Sequence, residues 1–559
     1  MRDNSTILHR LRNWAKDQPA SEALHHREDD SGWTAIQASA YWRQVVRFAV
    51  ALRDSGINRG DRVMIYAQNS PEWVQWELAV WLAGAVSVGV HPHTSELELQ
   101  KMISQTNPKL ILVESEAHRA RIPLFGVDPD ILLGFGEVFD RMRGIRAYST
   151  EELDLRGDAL LGVIDPAATS MIIFTSGTTG TPKGVMMGLS QLTFVAEVLS
   201  REWRLPYMDG RLFSFLPLAH VAEKVQTLAV AIVQRYPVWF NSHYDRLLPE
   251  LKEVRPSLLL AVPRIWERFR EQAESRKPKL FQRVMEFEKI GKLAEKVYLN
   301  RVREQLGLDQ LKVAVSGAAK LPPAIGEWFA LIGIEIQEIY GMSESCGLIS
   351  LTRPPRTGYR SVGAVPAGVE VRIAMDGEIQ VRGPNVFNGY WKNEEATAEV
   401  LLPDGWLKTG DLGELTPELH IIGRNRDIIK LSSGRMIAPL PIENALKEIP
   451  EVSNACVVGE GKSSILALIT LKEQILVDLR FHPGAIEGLA VEDEALKARI
   501  KAGIRSLVEA KKIAEPVTRF VILSRDFSAE EKELTQTQKI NRTRIQQSFR
   551  HFIDLQFEV

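Results

Sequence analysis

One segment combines residue types that together could hold an anionic group such as phosphate. An apolar run, MIIF (171–174), leads into TSGTTGTPKG (175–184), which is rich in glycine and hydroxyl side chains. Glycines let the backbone approach a ligand closely, and their N–H groups can point at anionic oxygens. Lys183 adds a positive charge. The segment is not a Walker loop, because Gly184 stands where that motif requires Ser or Thr. The pattern therefore predicts a phosphate-binding loop after a buried strand.

A second candidate for a phosphate loop, the Gly-Lys-Ser sequence at 461–463, is weaker. The glycine that a Walker motif requires upstream would fall at position 456, where the chain has Cys456. We therefore interpret 459–464 as a turn between strands.

Six further segments combine glycine, aromatic, hydroxyl or charged residues in short motifs. In chain order the motifs are SGAAKLP (316–322), EIYGMSES (338–345), GEIQVRGPNVFNGYW (377–391), GWLKTGDLG (405–413), GRNRDIIK (423–430) and ELTQTQKINR (533–542).

Taken in this order, the motifs resemble those of the adenylate-forming (AMP-binding) superfamily, which includes acyl-CoA synthetases, luciferases and nonribosomal adenylation domains. The resemblance covers nearly the whole chain. LPLAHVAEK (216–224), AVPRIWERF (261–269) and IAPLPIEN (437–444) are similar to long-chain and bubblegum-type fatty acyl-CoA synthetases. The resemblance implies an ATP-dependent ligase that forms an acyl adenylate with release of pyrophosphate and then a thioester with coenzyme A. It implies a long- or medium-chain fatty acid as the substrate.

The resemblance also implies roles for residues around the phosphates. The catalytic residues would be Lys539, Lys183 and His220, with His220 at the acyl entrance. Mg²⁺, which prefers hard oxygen ligands, would be held by Thr178 and Glu344. Phosphate binding would fall to Thr175, Ser176, Gly177, Thr178, Thr179, Gly180 and Lys183.

Roles at the nucleoside and at the second half-reaction follow from the same resemblance. Arg426 would be the hinge about which a small domain rotates, and Lys430, Ser433 and Gly434 would face coenzyme A. The adenine and ribose would be bound by Gly317, Ala318, Ala319, Ile339, Tyr340, Gly341, Met342, Ser343, Asp411 and Arg424.

Two other functions stay open at this point. An enzyme of the same type could transfer its acyl adenylate to a carrier protein or another acceptor; the absence of a fused carrier domain favours free coenzyme A. A binding protein with an inactive site is disfavoured because Lys183, Glu344, Asp411 and Lys539 are all present.

The elements that must position these residues form an α/β protein. In the first 160 residues strand-like runs alternate with helical ones, which is typical of parallel sheets. Residues 361–424 contain short runs and turn residues that favour an antiparallel β unit. We predict a large multi-layered N-terminal domain (1–425) and a small, mobile C-terminal α/β domain (426–559) that carries the catalytic lysine. The charged stretch 264–305 is interpreted as a solvated helical pair.

Composition narrows the class of protein. The chain has 559 residues and a formal net charge of -2, which does not indicate a nucleic-acid binder. Two distant cysteines exclude a disulfide framework and fit a reducing compartment. The sequence contains no run of 18 uninterrupted apolar residues, so no membrane-spanning helix is predicted. We expect a cytoplasmic protein that binds ATP, fatty acid and coenzyme A. Peripheral contact with the inner face of a membrane and a homodimer are left open.

Overall fold

The computed structural model describes residues 5–27, 32–122, 128–135, 137, 148–175, 182–275, 299–355, 358, 361–480, 486–487, 490–510, 513, 517–528, 530–534 and 540–558. Among the helices of these ranges, none is both long enough and apolar enough to cross a membrane.

The strands of the described ranges are short and numerous. They are β1 (Glu22–His26), β2 (Thr34–Gln37), β3 (Arg62–Tyr66), β4 (Val86–Val90), β5 (Leu110–Val113), β6 (Leu132–Gly134), β7 (Thr169–Thr175), β8 (Lys183–Gly188), β9 (Leu212–Ser214), β10 (Val238–Phe240), β11 (Leu258–Ala261), β12 (Val313–Ser316), β13 (Ile336–Tyr340), β14 (Ser350–Leu351), β15 (Ser361–Gly363), β16 (Glu370–Ile373), β17 (Glu378–Arg382), β18 (Gly389–Tyr390), β19 (Leu407–Leu415), β20 (Leu419–Arg424), β21 (Ile429–Lys430), β22 (Met436–Ile437), β23 (Val452–Val458), β24 (Leu466–Leu471), β25 (Ile486–Glu487), β26 (Ala490–Val491) and β27 (Arg519–Leu523).

The helices of the same ranges connect and cover these strands. They are α1 (Ile7–Asp17), α2 (Ala38–Asp54), α3 (Pro71–Leu82), α4 (Glu96–Thr106), α5 (Glu116–Ala120), α6 (Thr150–Leu161), α7 (Leu189–Glu202), α8 (Val221–Glu223, continued by a π-helical stretch Lys224–Val230 and by Ala231–Gln234), α9 (Leu247–Val254), α10 (Pro263–Ser275), α11 (Pro323–Leu331), α12 (Glu394–Val400), α13 (Pro439–Leu446), α14 (Glu473–Arg480), α15 (Glu494–Glu509), α16 (Arg542–Ser548) and α17 (Arg550–Glu558). Residues 299–306 are also helical.

The first sheet confirms the alternation seen in the sequence. Of the strands described, seven form it in the order β18-β8-β7-β4-β3-β5-β6. β7, β4, β3, β5 and β6 are parallel; at one edge β8 runs antiparallel to β7, and β18 runs antiparallel to β8. The Ser70–Pro71 pair predicts a helix start, with Ser as the N-cap and Pro as the first helical residue. Helix α3 begins there, and Ser70 Oγ accepts a hydrogen bond from the Trp73 N–H at 3.1 Å.

A second, largely parallel sheet brings the motifs at 316–322 and 338–345 to one edge. Its eight described strands follow the order β14-β13-β12-β11-β9-β10-β1-β2. β12 and β13 are parallel neighbours, with Ser316 opposite Glu338. The loop after β12 and the loop after β13 therefore emerge side by side at the carboxyl ends of their strands, where ligands of open α/β sheets bind.

The predicted antiparallel unit is also present. β15, β20, β19, β17 and β16 are neighbours in that order, and every pairing is antiparallel. From Ile429 onward the chain forms the β21–β22 hairpin and a mixed sheet, β23-β24-β27-β26-β25. A separate apolar cluster, which includes Leu446, Ile469 and Ile500, fills this C-terminal unit (429–558). The turn predicted at 459–464 connects β23 to β24.

The structure corrects the interpretation of the charged stretch for its first helix. α10 is solvated on one face only, because Trp266 and Phe269 are fully buried against Phe329 of α11. The apolar residues recur at helical spacing on one face, and the charged residues lie on the other. Residues 276–298 lie outside the described residues.

Candidate active site

Three of the residues predicted to bind adenine and ribose, Tyr340, Asp411 and Arg424, meet where β13 ends beside the β19–β20 ladder, and they are called the nucleoside cluster below. Tyr340 ends β13, and its hydroxyl donates a hydrogen bond to Asp411 Oδ2 at 2.7 Å. Asp411 lies directly opposite Arg424 in the β19–β20 ladder, and Arg424 Nε is 3.5 Å from Asp411 Oδ1. Burial and the neighbouring Asp411 carboxylate raise the pKa of Tyr340 well above its ordinary value. The tyrosine is therefore a neutral donor to a carboxylate that still has lone pairs for a ligand.

Small residues adjoin this cluster. Gly317 follows β12, and a Cβ at this position would come within 2.9 Å of Ile339 Cγ2. Ala318 has a φ of 66°, so the backbone turns sharply and leaves Ala318 and Ala319 exposed. The surface beside Tyr340 is thus formed by backbone and methyl groups, against which a planar ring can lie.

The loop of Gly341, Met342, Ser343 and Glu344 leads from the nucleoside cluster to the phosphate motif. A Cβ on Gly341 would overlap the backbone of Gly347, so the loop tolerates only glycine there. Ser343–Ser345 form a single helical turn, which directs Glu344 inward, and Glu344 is 7% exposed.

At the phosphate end, Thr175 and Lys183 are opposite each other in the β7–β8 ladder. They are the two ends of the predicted phosphate loop. Five of its predicted binding residues, Ser176, Gly177, Thr178, Thr179 and Gly180, lie outside the described residues, as does the candidate catalytic Lys539.

One residue at this end of the site, Tyr390, was not among those predicted from the sequence. Tyr390 donates a hydrogen bond from its hydroxyl to Glu344 Oε1 at 2.6 Å, and Lys183 Nζ lies 5.0 Å from the centroid of its ring. Burial, followed by the Glu344 carboxylate, raises the pKa of Tyr390. Its place at the end of the 377–391 motif was the only sequence signal for it.

The donor set at this end fits Mg²⁺. This ion accepts one or two carboxylates together with substrate phosphates and water. The hydrogen bond from Tyr390 engages one oxygen of Glu344, which leaves Oε2 to approach a hard cation. The second predicted ligand, Thr178, lies outside the described residues.

His220 lies at the start of α8, in a cluster with two other histidines. Its ring centroid is 5.7 Å from that of His91, and His93 is next to His91 at 5.5 Å. Burial, with His220 and His93 as further causes, lowers the pKa of His91 to about 3. His91 is thus uncharged near neutral pH.

One helical turn beyond His220 is a buried ion pair. Lys224, 1% exposed at its side chain, donates to Glu77, which is fully buried. Glu77 also accepts hydrogen bonds from Trp73 Nε1 at 3.1 Å and Ser87 Oγ at 2.8 Å. A charge pair in an apolar core requires such partners because desolvation is costly.

The remaining predicted residues lie on the C-terminal side of the antiparallel unit. Arg426 follows Arg424 in a single 3₁₀ turn; burial and the nearby Arg424 charge lower the pKa of Arg426. Lys430, Ser433 and Gly434 are exposed on the β21–β22 hairpin. The 459–464 turn supports this hairpin, since the Gly461 N–H donates to the Lys430 carbonyl at 2.8 Å.

Comparison with known proteins gives a consistent result. The family model described as AMP-binding enzyme matches residues 11–391, and that of the AMP-binding enzyme C-terminal domain matches 426–558. The long-chain-fatty-acid–CoA ligase FadD15 of Mycobacterium bovis is 32% identical over 96% of this chain and 94% of its own. The long-chain-fatty-acid–CoA ligase ACSBG2 of Rattus norvegicus is 29% identical, covering 93% of this chain and 88% of the relative.

The fold is shared with solved structures. The adenylation domain of a carboxylate reductase from Mycobacterium chelonae superposes with a TM-score of 0.75 at 21% identity, over 100% of this chain and 92% of that one. The layered α/β architecture predicted from the sequence is confirmed by this likeness.

Proposed function

Because this chain belongs to the family of AMP-binding enzymes, we propose that it is an ATP-dependent long-chain fatty acyl-CoA ligase. The observation that carries the proposal is the continuity of the site. The loop 341–344 runs from the Tyr340–Asp411–Arg424 cluster to the Glu344–Tyr390–Lys183 cluster. A nucleotide needs a hydroxyl acceptor at its ribose and positive charge at its phosphates, and this arrangement offers both along one path.

In the proposed adenylation, ATP binds with its adenine between the 317–319 turn and Tyr340. Asp411 accepts hydrogen bonds from the ribose hydroxyls, while Lys183 and the loop 175–180 bind the β- and γ-phosphates. Bound with the nucleotide near Glu344 and Thr178, Mg²⁺ would neutralise phosphate charge. The substrate carboxylate attacks the α-phosphorus, the bond to pyrophosphate breaks, and Lys539 stabilises the charge that develops.

The second half-reaction uses the C-terminal domain differently. We assign 1–425 to the large domain and 426–559 to the small one, with Arg426 as the hinge. Rotation withdraws Lys539 and presents Lys430, Ser433 and Gly434 to coenzyme A. The thiolate attacks the acyl carbonyl, AMP leaves, and a thioester forms. Support for this assignment is the exposed hairpin, which the 459–464 turn holds in place.

A fatty acid of medium to long chain is the proposed carboxylate, with His220 at its entrance. The names of the curated relatives support a long chain. The test is pyrophosphate release with a series of fatty acids, with acetate and benzoate as controls. We expect the rate at low substrate to rise with length and then level off, since each buried CH₂ contributes about 0.8 kcal/mol until the site is filled. A preference for acetate or benzoate would contradict the substrate assignment.

The acceptor is tested separately. Free coenzyme A and a carrier protein with its phosphopantetheine arm compete for the adenylate formed from one fatty acid. We expect the acyl group on coenzyme A. Transfer only to the carrier would favour an acyl-adenylating enzyme of a different pathway. We further propose that the activity depends on Mg²⁺ and that the enzyme is cytoplasmic. Peripheral contact with the inner face of a membrane is left open.

A further inference from the structure

Tyr390 is fixed beside the phosphate motif by backbone contacts. Its strand, β18, pairs with β8, and Tyr390 is opposite Val185, two residues after Lys183. The Tyr390 N–H donates to Thr397 Oγ1 at 2.9 Å. Only 6% of the residue is exposed, so its ring and hydroxyl have a defined direction.

A second set of contacts fixes Tyr390 relative to Glu344. The Phe387 N–H donates to the Glu344 carbonyl at 2.9 Å, and the rings of Phe387 and Tyr390 meet edge to face at 5.0 Å. The segment that carries the tyrosine therefore also holds the backbone of the acid. The 2.6 Å hydrogen bond from the hydroxyl to Oε1 completes this arrangement.

One side chain thus satisfies two charged groups. A buried carboxylate such as Glu344 requires a donor, and the hydroxyl supplies it. An ammonium within about 6 Å of an aromatic centroid is attracted to the ring face, and Lys183 meets this condition at 5.0 Å. Without the tyrosine, Lys183 and Glu344 would lose the group that sets their separation and directions.

We propose that Tyr390 is a positioning residue for the metal–phosphate end of the nucleotide. Its hydroxyl holds Glu344 so that Oε2 meets the cation, and its ring holds the Lys183 ammonium near the phosphates. This inference rests on the proposed function, since it assumes that ATP binds here.

Two substitutions separate the contributions of hydroxyl and ring. Tyr390→Phe removes only the hydroxyl, whereas Tyr390→Leu removes both contacts. Tyr236→Phe is the matched control, because Tyr236 is 1% exposed and its hydroxyl likewise donates a hydrogen bond, in this case to the Pro206 carbonyl. ATP affinity is measured by calorimetric titration of the full chain, once with Mg²⁺ and once with EDTA, and adenylate formation is measured beside it.

For Tyr390→Phe we expect ATP affinity with Mg²⁺ to fall by about tenfold or more, as for loss of a hydrogen bond to a charged group. Affinity in EDTA should stay at the wild-type value. Tyr390→Leu should also lose affinity in EDTA, by about two- to fivefold, through the missing ring. Tyr236→Phe should match wild type in both.

Wild-type ATP affinity with Mg²⁺ in Tyr390→Phe would overturn the inference. So would an equal loss with Mg²⁺ and with EDTA, which would indicate general damage. If the wild-type chain itself does not bind ATP or form an adenylate, the proposed function fails instead. If Tyr390→Leu does not fold, the comparison of Tyr390→Phe with the control still decides.

Discussion

Replacing Asp411 by alanine removes a carboxylate that accepts a hydrogen bond from Tyr340 and, in the proposed function, from the ribose. In the structure Oδ2 accepts the Tyr340 hydroxyl at 2.7 Å, and Oδ1 is 3.5 Å from Arg424 Nε. The proposed ribose contacts depend on the same carboxylate. Asp411→Ala therefore has two consequences: it removes the ribose acceptor, and it leaves the hydroxyl of Tyr340, a residue only 9% exposed, without its partner.

The two consequences differ in magnitude and in where they appear. A hydrogen bond to a charged group contributes about 1.5–3 kcal/mol, which corresponds to a roughly 10- to 150-fold weaker Kd for AMP. The unpaired Tyr340 hydroxyl costs about 1–3 kcal/mol in the folded protein, whether or not AMP is bound. The first effect lowers affinity, and the second lowers the free energy of unfolding.

A second variant separates these effects. Tyr340→Phe combined with Asp411→Ala removes the unpaired hydroxyl, so we expect it to recover most of the lost stability but none of the lost affinity. Calorimetric titration with AMP gives Kd, and thermal unfolding without nucleotide gives stability. Wild-type AMP affinity in Asp411→Ala would refute the ribose assignment. Recovery of affinity in the double variant would show that Asp411 acted through Tyr340 alone.

Four further changes test other parts of the structure. Lys539→Ala should slow adenylate formation by about 10²–10³ and leave thioester formation from supplied acyl adenylate near normal; an unchanged first step would exclude it as the catalytic lysine. Arg426→Gly should impair the thioester step more than adenylation, because only that step requires rotation, and equal damage in separate half-reaction assays would contradict a hinge. Lys224→Met should destabilise the fold by about 3–5 kcal/mol by leaving the buried Glu77 carboxylate without its counter-ion, and adding Glu77→Leu should recover much of this in denaturant unfolding; no recovery would argue against the pair. Burial raises the pKa of Glu223 to about 7, above its ordinary 4.5. The stability that the protonated group contributes is therefore complete below pH 4.5 and is lost as the pH rises to 7. Glu223→Gln should remove this loss of up to about 3 kcal/mol, measured from unfolding midpoints at pH 5 and pH 8, and identical pH profiles of variant and wild type would contradict the prediction.

The sequence by itself determined the features whose cause is local. The Ser70–Pro71 start of α3 and the alternation of strands and helices depend on neighbours within a few residues, and the structure confirms them. The phosphate-loop composition and the order of the motifs indicated the family because each motif is contiguous. The solvated helical pair expected at 264–305 was corrected in α10, where the charged face is exposed but the apolar spacing on the other face buries Trp266.

Only the tertiary structure decided which distant side chains meet. Tyr340 reaches Asp411 across 71 positions, Tyr390 reaches Glu344 across 46, and Lys224 reaches Glu77 across 147. Such pairs depend on which strands are neighbours and on which groups become buried together. A carboxylate that has lost water needs whatever donor the fold places beside it, and no local pattern states which donor that is. For this reason the sequence could name Glu344 and Lys183, whereas the tyrosine between them emerged only from the packing of β18 on β8.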